Sequence, residues 1–558
     1  MSEEREFSDV EGDAVAAPVL NELQLAELAQ FGEDRAVETG DVLFRVGDAT
    51  YDFIIILSGE VEIVREEHGI STVVAHHGPG RFLGELNLLT GQRVYLTARM
   101  SQPGRVLAIP PDQFRRLLGE KPDLADIIFR ALVARRDFLR EGSGAETMRI
   151  LGSRFSSEAL ALRSFATRAR LPHKWTDLEE AEDVDVLLAS MGLRPRDTPV
   201  VVTPTAILRR PTPGDLAEHL GLSFRAVPGY MFDLVVVGTG PAGLAAAVYG
   251  ASEGLDTISL DAAGSGGQAG ASSRIENYVG FPNGISGDDL AARAAIQAQR
   301  LGARLNAPCD VLGLRSEAGF HVVVLGDGSE IPARAVIVAS GARYQRLAVE
   351  DLDRFEGAGV YYAATDLEVR TCNRLPVVVV GGGNSAGQAA IYLAQQGSKV
   401  TIAIRGDDLS RRMSRYLVQR IEAAYPAIEV RTCTEVRALE GGSHLERVVL
   451  EHSLSHFRET VECQGLFCFI GADPATAWMG DAVMLDDRGF VLTDRSLPTD
   501  VVGREFEGRA PLPFETSRPG VFAVGDVRNG SIKRVAAAVG EGSSAVRSVH
   551  EHFAATGG

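Results

Sequence analysis

The stretch MFDLVVVGTGPAGLAAAVYGASEGLDTISLD, Met231–Asp261, decides the reading of the fold. It spells a strand, a glycine-rich turn, a helix and a second strand that ends in an acid. Gly238 permits the tight turn, Gly240 lets the backbone approach a pyrophosphate, and Gly243 lets helix and strand pack closely. Pro241 and Ala242 open the helix, whose unpaired N–H groups and positive dipole end suit phosphates. Asp261 stands where a carboxylate can accept both ribose hydroxyls of an adenosine. A lone G-x-G-x-x-G says little, and an ordinary βα turn would serve as well. Here the strand, the helix and the acid stand around it at the right distances, and a dinucleotide site is the reading.

Working outward, LPVVVVGGGNSAGQAAIYLAQQGSKVTIAIRGDD (Leu375–Asp408) repeats the design. Gly381, Gly383 and Ala386 make the turn, with Asn384 and Ser385 at the helix opening. The second strand now ends in Arg405, where the first unit has Asp261. A guanidinium suits a ribose 2′-phosphate through bidentate, charge-assisted hydrogen bonds, which points to NADPH. Arg411, Arg412 and Arg415 follow closely; the alternative for two of these three is a solvated helix face. Near the end, SRPGVFAVGDVRNGSIKRVAAAVGEGSSAVRSVHEHF (Ser517–Phe553) brings a strand to Gly525-Asp526 and a loop, then a glycine-spaced helix. Two-dinucleotide flavoproteins use such a pair on the ribityl and phosphate portion of the flavin. Together with the first motif it closes a cradle for FAD.

The 558 residues are long enough for several domains, and 45 % hydrophobic content fills several cores. The net charge of −19 opposes phosphate backbones, so nucleic acid is excluded as a partner. The acidic start MSEEREFSDV carries no apolar signal segment, and the apolar runs are strand-length, so no membrane is expected and the chain reads as cytoplasmic. Cys309, Cys372, Cys433, Cys463 and Cys468 are the five cysteines. Their odd number and spread, with no C-x-x-C anywhere, fit neither a disulfide framework nor a metal site, and buried free thiols are expected.

Met231 to Phe553 resembles the low-molecular-weight thioredoxin reductase family. The motifs that carry the resemblance run in family order: GTGPAG, GGQ (Gly266–Gln268), IENYVGFP (Ile275–Pro282), GGGNSA, FIGADP (Phe469–Pro474) and the terminal GD. The resemblance implies a two-dinucleotide-binding, Rossmann-like α/β flavoprotein with the NADPH domain inserted in the FAD domain. FAD halves are implied at 230–349 and 471–558, with the NADPH unit at 350–470. It also implies FAD and NADPH as cofactors and a homodimer. Gly267 and Gln268 would lie at the flavin site, Asn277 would approach the ring, and Arg534 and Val535 would cover its reactive side. The family's redox C-x-x-C should follow the strand Gly359–Tyr362. Ala363 and Asp366 occupy the two cysteine positions, and neither can form a mixed disulfide.

Residues 145–224 resemble a thioredoxin or glutaredoxin fold, patterned β-α-β-α-β-β-α with Pro199 as the candidate cis-proline. No cysteine lies in this stretch; GSRFSS (Gly152–Ser157) stands where the redox pair would be. A docking or spacer unit is the expectation. Residues 19–141 resemble a cyclic-nucleotide-binding β-roll through GDVLFRVGD, FIIILSGEVEI and GRFLGELNLL. That resemblance maps Gly84, Glu85 and Arg93 onto ligand-holding positions, with a short helix near Leu86 presenting N–H groups. Val94 and Tyr95 follow the arginine where small residues and Thr or Ser are usual.

The sequence therefore predicts an FAD-dependent NADPH oxidoreductase of thioredoxin reductase type. It passes electrons to an external acceptor, a small protein carrier or small molecule, with a cyclic nucleotide as candidate effector. It predicts no side-chain nucleophile. Two alternatives stand: a redox or nucleotide sensor with little turnover, and a thioredoxin-disulfide reductase acting through an unrecognised thiol.

Overall fold

The run FIIIL at 53–57 shows how the N-terminal unit is built. Successive strand residues point to opposite faces. Phe53 and Ile55 pack with Phe114, Leu117, Ile128 and Leu132 of two helices, Pro111–Glu120 and α1 (Pro122–Glu141). Ile54 and Ile56 turn the other way and fill the interior with Val61, Leu83, Val106 and Ala108. Both faces are buried, which explains an apolar run without alternation. Strands 53–67 and 97–109 form the centre of a six-stranded sheet whose pairings are antiparallel. This computed structural model describes residues 15–556, apart from 68–69, 85–87, 89–92, 142–147, 181–183, 224–228, 273, 318, 365, 373 and 507–508. Both joints expected from glycine and proline, 142–144 and 226–228, lie outside the described residues.

The next unit runs β1 (Arg149–Gly152), α2 (Ser157–Arg168), β2 (Lys174–Asp177), a helix Val184–Ser190, β3 (Val200–Val202), β4 (Ile207–Arg209) and a helix Pro213–His219. Its sheet order is β4-β3-β1-β2, with β1 and β2 parallel and the other pairs antiparallel. Ile150 and Val201 pack under Leu162, Phe165 and Leu216 on one face, and Leu151 and Val200 meet Leu188 and Leu193 on the other. The Thr198–Pro199 peptide bond is cis.

From Phe232 the chain is α/β. Strand β5 (Phe232–Val237) is flanked in parallel by β6 (Thr257–Leu260) and β7 (Glu330–Val338). It is buried on both sides, as parallel strands covered by helices are. A second parallel sheet carries β8 (Val377–Val380) between β9 (Val400–Ala403) and β10 (Gly465–Cys468). The chain then returns, and β11 (Val521–Ala523) pairs with β7 of the first sheet. The outward and returning segments, Ala342–Tyr344 and Ala472–Pro474, pair antiparallel at the crossing. The last helix, α5 (Val535–Thr556), crosses α3 (Pro241–Ser252) so closely that a Cβ on Gly542 would stand 2.0 Å from the Ala242 carbonyl oxygen. Helix α4 (Asn384–Gln395) follows β8 as α3 follows β5.

Polar and aromatic contacts join the units. The Arg93 amide donates to the Leu220 carbonyl at 3.0 Å, and Arg136 Nη1 donates to the Arg170 carbonyl at 3.0 Å. Phe155 stacks on His444, with ring centroids 4.7 Å apart.

Candidate functional site

Glycine geometry defines the site. Gly238 has φ +109°, and a Cβ there would stand 2.3 Å from the Ala339 carbonyl oxygen. A Cβ on Gly243 would stand 1.8 Å from the Gly238 oxygen. Both are required by the chain's packing on itself. Gly240 differs: its φ is −69°, and an added Cβ would meet only the Gly267 Cα, at 3.9 Å. The missing side chain leaves space at the N-terminus of α3, where unpaired N–H groups favour an anion. Thr239 adds a buried hydroxyl with no hydrogen-bond partner among the described residues. These features fit a pyrophosphate.

Asp261 ends β6 as expected, but its carboxylate is already engaged. Oδ2 accepts from the Thr239 amide at 2.7 Å, and Oδ1 accepts from Ala263 and Gly264 at 2.9 and 3.0 Å. A carboxylate has about four lone-pair sites. Three of these are used within the chain, so the residue braces the glycine turn against the following loop. Gly266 donates to the Thr239 carbonyl at 2.8 Å, and the Gln268 amide donates to the Ala342 carbonyl, so the GGQ segment is fixed to the same turn.

The C-terminal loop seats on α3. Gly525 has φ +72°, and a Cβ on it would lie 3.0 Å from the Ala242 Cβ. Its amide donates to Glu541 Oε2 at 2.7 Å, and Arg528 Nη2 holds the other oxygen at 2.8 Å. Burial pushes the Asp526 carboxyl above its usual range; Lys533 opposes the shift and Glu541 adds to it.

One cleft of about 1280 Å³ joins these parts. Gly238, Gly240, Pro241, Ala242 and Asp261 line it, with Gly267, Gln268 and Asn277. Gly525, Asp526, Arg534 and Val535 line it from the C-terminal segment, and Asn384 and Ser385 from the second turn. Gly243, Gly381, Gly383 and Ala386 do not line it. Gly381 has φ +135° and a Cβ there would approach the Phe469 oxygen to 2.3 Å, whereas Gly383 has nothing within 4 Å. Ala386 is buried beneath the turn, and Asn384 Oδ1 accepts from the Ser414 amide at 2.7 Å.

The arginines divide unevenly. Arg405 is exposed beyond β9 and, like Arg411, stands outside the cleft; it makes no hydrogen bond or ion pair among the described residues. Arg411 is bound to Asp407 through two contacts, of 3.0 and 3.1 Å, and stands outside the cleft. Arg412 takes the cleft position instead. A carboxylate four residues earlier thus holds the Arg411 guanidinium in this structure.

Ala363 lines the cleft, and Asp366 begins the helix Asp366–Cys372. All five cysteines are free, and Cys372, Cys463 and Cys468 are buried. Burial pushes the Cys309, Cys463 and Cys468 thiols up to about 12 and raises Cys372 as well. Among the described residues no cluster could hold a metal ion, and no helix is long and apolar enough to cross a membrane.

Sequence reasoning missed one wall. Ser157, Leu160, Ala161, Ser164 and Arg168 of α2 line the cleft. So do Tyr344 and Tyr362, whose rings lie within 11° of parallel. Burial pushes the Tyr344 phenol up to about 12, against the opposing charge of Arg168, with Asp526 and Glu368 adding to the rise.

In the N-terminal unit, Gly84 has φ +136° and its carbonyl accepts from Arg135 Nη1 at 2.7 Å. Arg93 is exposed, and its Nη1 donates to the Gly47 carbonyl at 3.0 Å. Glu85 and Leu86 lie outside the described residues.

Residues 232–542 match the family profile described as pyridine nucleotide-disulphide oxidoreductase, and residues 34–121 match that of the cyclic nucleotide-binding domain. A thioredoxin reductase of Mycoplasmopsis pulmonis is 31 % identical over 319 residues, covering 56 % of this chain and 95 % of that protein. A 34.2 kDa protein in the rubredoxin operon of Clostridium pasteurianum is 28 % identical over 313 residues, covering 56 % and 94 %. The crystal structure of Lactococcus lactis thioredoxin reductase in its FR conformation aligns with a TM-score of 0.52 at 28 % identity. It covers 58 % of this chain and 99 % of that one.

Proposed function

From the premise that the chain belongs to the pyridine nucleotide-disulphide oxidoreductase family, we propose that it passes electrons from NADPH through FAD to an acceptor outside the chain, under cyclic-nucleotide control. The chain is an FAD-dependent NAD(P)H oxidoreductase of thioredoxin reductase type, and that family uses FAD and NADPH. The observation that carries the proposal is one cleft lined by the first dinucleotide turn and by Asn384 and Ser385 at the second helix opening, with Ala363 where the resemblance places the first cysteine.

When bound, FAD supplies a centre that accepts a hydride from a nicotinamide and passes electrons onward. Gly238 and Gly240 admit its pyrophosphate to the N-terminus of α3, and Asp261 holds the turn and offers one acceptor to the ribose. Asp526, with Arg534 and Val535, closes the cradle from the C-terminal side. Asn384 and Ser385 orient the second dinucleotide, while Arg405 and Arg412 supply cations for a 2′-phosphate. Thiol chemistry is disfavoured because a thiolate is the nucleophile and burial keeps four of the five thiols protonated. One relative is named for a rubredoxin operon, which favours a small electron carrier as acceptor.

Residues 145–224 we assign to a cysteine-free thioredoxin-type fold; the order β4-β3-β1-β2 with a parallel β1–β2 pair supports this. Its bonds to the N-terminal unit support a second reading, a sensor in which ligand binding shifts the units with little turnover.

The test is anaerobic stopped-flow absorbance of the flavin mixed with NADPH or NADH, each with and without cyclic AMP. Rapid bleaching by NADPH alone establishes the reductive half-reaction. A rate changed by cyclic AMP establishes control. No useful rate with either nucleotide removes the oxidoreductase proposal and leaves the sensor.

A further inference from the structure

Helix α2 belongs to the cysteine-free unit, yet Ser157, Leu160, Ala161, Ser164 and Arg168 line the dinucleotide cleft. Steps of three and four residues place them along one helical face. Leu162, Phe165 and Ala166 on the other side are buried in the unit's own core. The helix is seated at both ends. A Cβ on Gly357 would lie 3.5 Å from Ser157 Cα and 3.6 Å from Leu160 Cδ2. A Cβ on Gly264 would lie 3.1 Å from Arg168 Cβ and 3.6 Å from Arg168 Cδ.

Arg168 is half-buried and makes no hydrogen bond or ion pair among the described residues. Desolvating a guanidinium without a counter-ion is unfavourable. Its charge reaches into the cleft, since it draws the Tyr344 phenol downward against burial. The loop 261–268 meets it at Gly264, and Gly238, Gly240, Pro241 and Ala242 of the turn, whose geometry fits a pyrophosphate, line the same cleft. Arg163, on the same helix, stacks over Trp175 at 4.2 Å and does not line the cleft.

We propose that Arg168 is a cofactor-binding residue supplied by the cysteine-free unit: its guanidinium pairs with the phosphate oxygens of bound FAD, so that α2 and the glycine turn hold the dinucleotide between them. This rests on the FAD reading above. The role it gives residues 145–224 is that of a cofactor wall.

The experiment uses the deflavinated full-length chain and its R168A, R168Q, R168K and R163A variants, with folding checked by far-ultraviolet circular dichroism. FAD, ADP and riboflavin are each titrated by fluorescence. In R168A and R168Q the Kd for FAD and for ADP rises on the order of tenfold or more, a loss that R168K partly recovers. Riboflavin, which has no phosphate, binds R168A as it binds the parent, and R163A keeps its FAD affinity. Unchanged FAD affinity in R168A and R168Q overturns the proposal and leaves the FAD reading intact. Equal weakening of riboflavin and FAD overturns it too, as a structural effect. Failure of the parent chain to bind FAD removes both.

Discussion

Arg136 donates from Nη1 to the Arg170 carbonyl at 3.0 Å, and the residue before it, Arg135, donates to the Gly84 carbonyl at 2.7 Å. Helix α1 thus holds the glycine of the candidate phosphate segment with one arginine and the cysteine-free unit with the next. Arg136 is 1 % exposed, so its hydrogen bonds are made out of water. R136M is expected to lower stability by about 1–3 kcal/mol, as for a buried polar group left unpaired. It is also expected to abolish any effect of cyclic AMP on flavin reduction. Thermal melts and stopped-flow traces of the variant check the two parts; an effect of cyclic AMP that survives in R136M removes this link.

The two arginines near the second turn separate charge that is available from charge already used. R405A is expected to raise KM for NADPH about tenfold and to leave KM for NADH unchanged. R411A is expected to change neither, because Asp407 already holds that guanidinium. Steady-state rates with ferricyanide as acceptor measure both.

Gly240 and Gly243 are expected to fail in different ways. G240V places its side chain in open cleft space, so the protein should fold and be isolated without FAD. G243V drives a side chain into the Gly238 carbonyl and should unfold the turn. Flavin absorbance and circular dichroism together distinguish them; a G240V protein with full FAD content contradicts the placement of the pyrophosphate.

Gly520 lies between two imidazoles, since a Cβ there would stand 2.7 Å from His552 Nε2 and 2.8 Å from His321 Nε2. Burial, then the neighbouring His552, lowers His321 to about 4, and burial lowers His552 as well. Both are neutral in the folded chain at neutral pH, whereas the unfolded chain binds protons from about 6.5 downward. Their contribution is therefore complete above pH 6.5 and is lost as pH falls toward 4, by up to about 3 kcal/mol for His321. H321Q should flatten the melting temperature against pH across that window.

The thiols should be silent. N-ethylmaleimide on the folded protein is expected to leave NADPH-driven flavin reduction unchanged, because burial holds the Cys309, Cys372, Cys463 and Cys468 thiols protonated. Rapid inactivation would revive the reading of an unrecognised thiol.

Local features were legible in the sequence because their causes are local. The turns at Gly238 and Gly381 follow from backbone angles that only glycine adopts at low cost, and the apolar runs of β5 and β8 from burial on both faces. What escaped depends on distant neighbours. Asp261 reads as a ribose acceptor, and its second task, accepting from the Thr239 amide, appears only in the fold. Arg411 and Arg412 are indistinguishable by type, and only the fold shows Arg411 paired with Asp407 and Arg412 at the cleft. Arg168 stands seventy residues before the first glycine turn, and only the docking of one unit on another brings it to the cleft.

The wall formed by α2 also has an order in time. A ribosome makes residues 157–168 before Gly238, and the lining segment 526–535 later still, and domains tend to fold as they emerge. The cofactor cradle is therefore complete only once the segment 526–535 has been made, with one side already standing. FAD enters a site whose parts lie hundreds of residues apart along the chain, and its binding draws them together by mass action. Cells short of riboflavin should accumulate the newly made chain in a loosened, protease-sensitive form rather than as an intact, merely inactive enzyme.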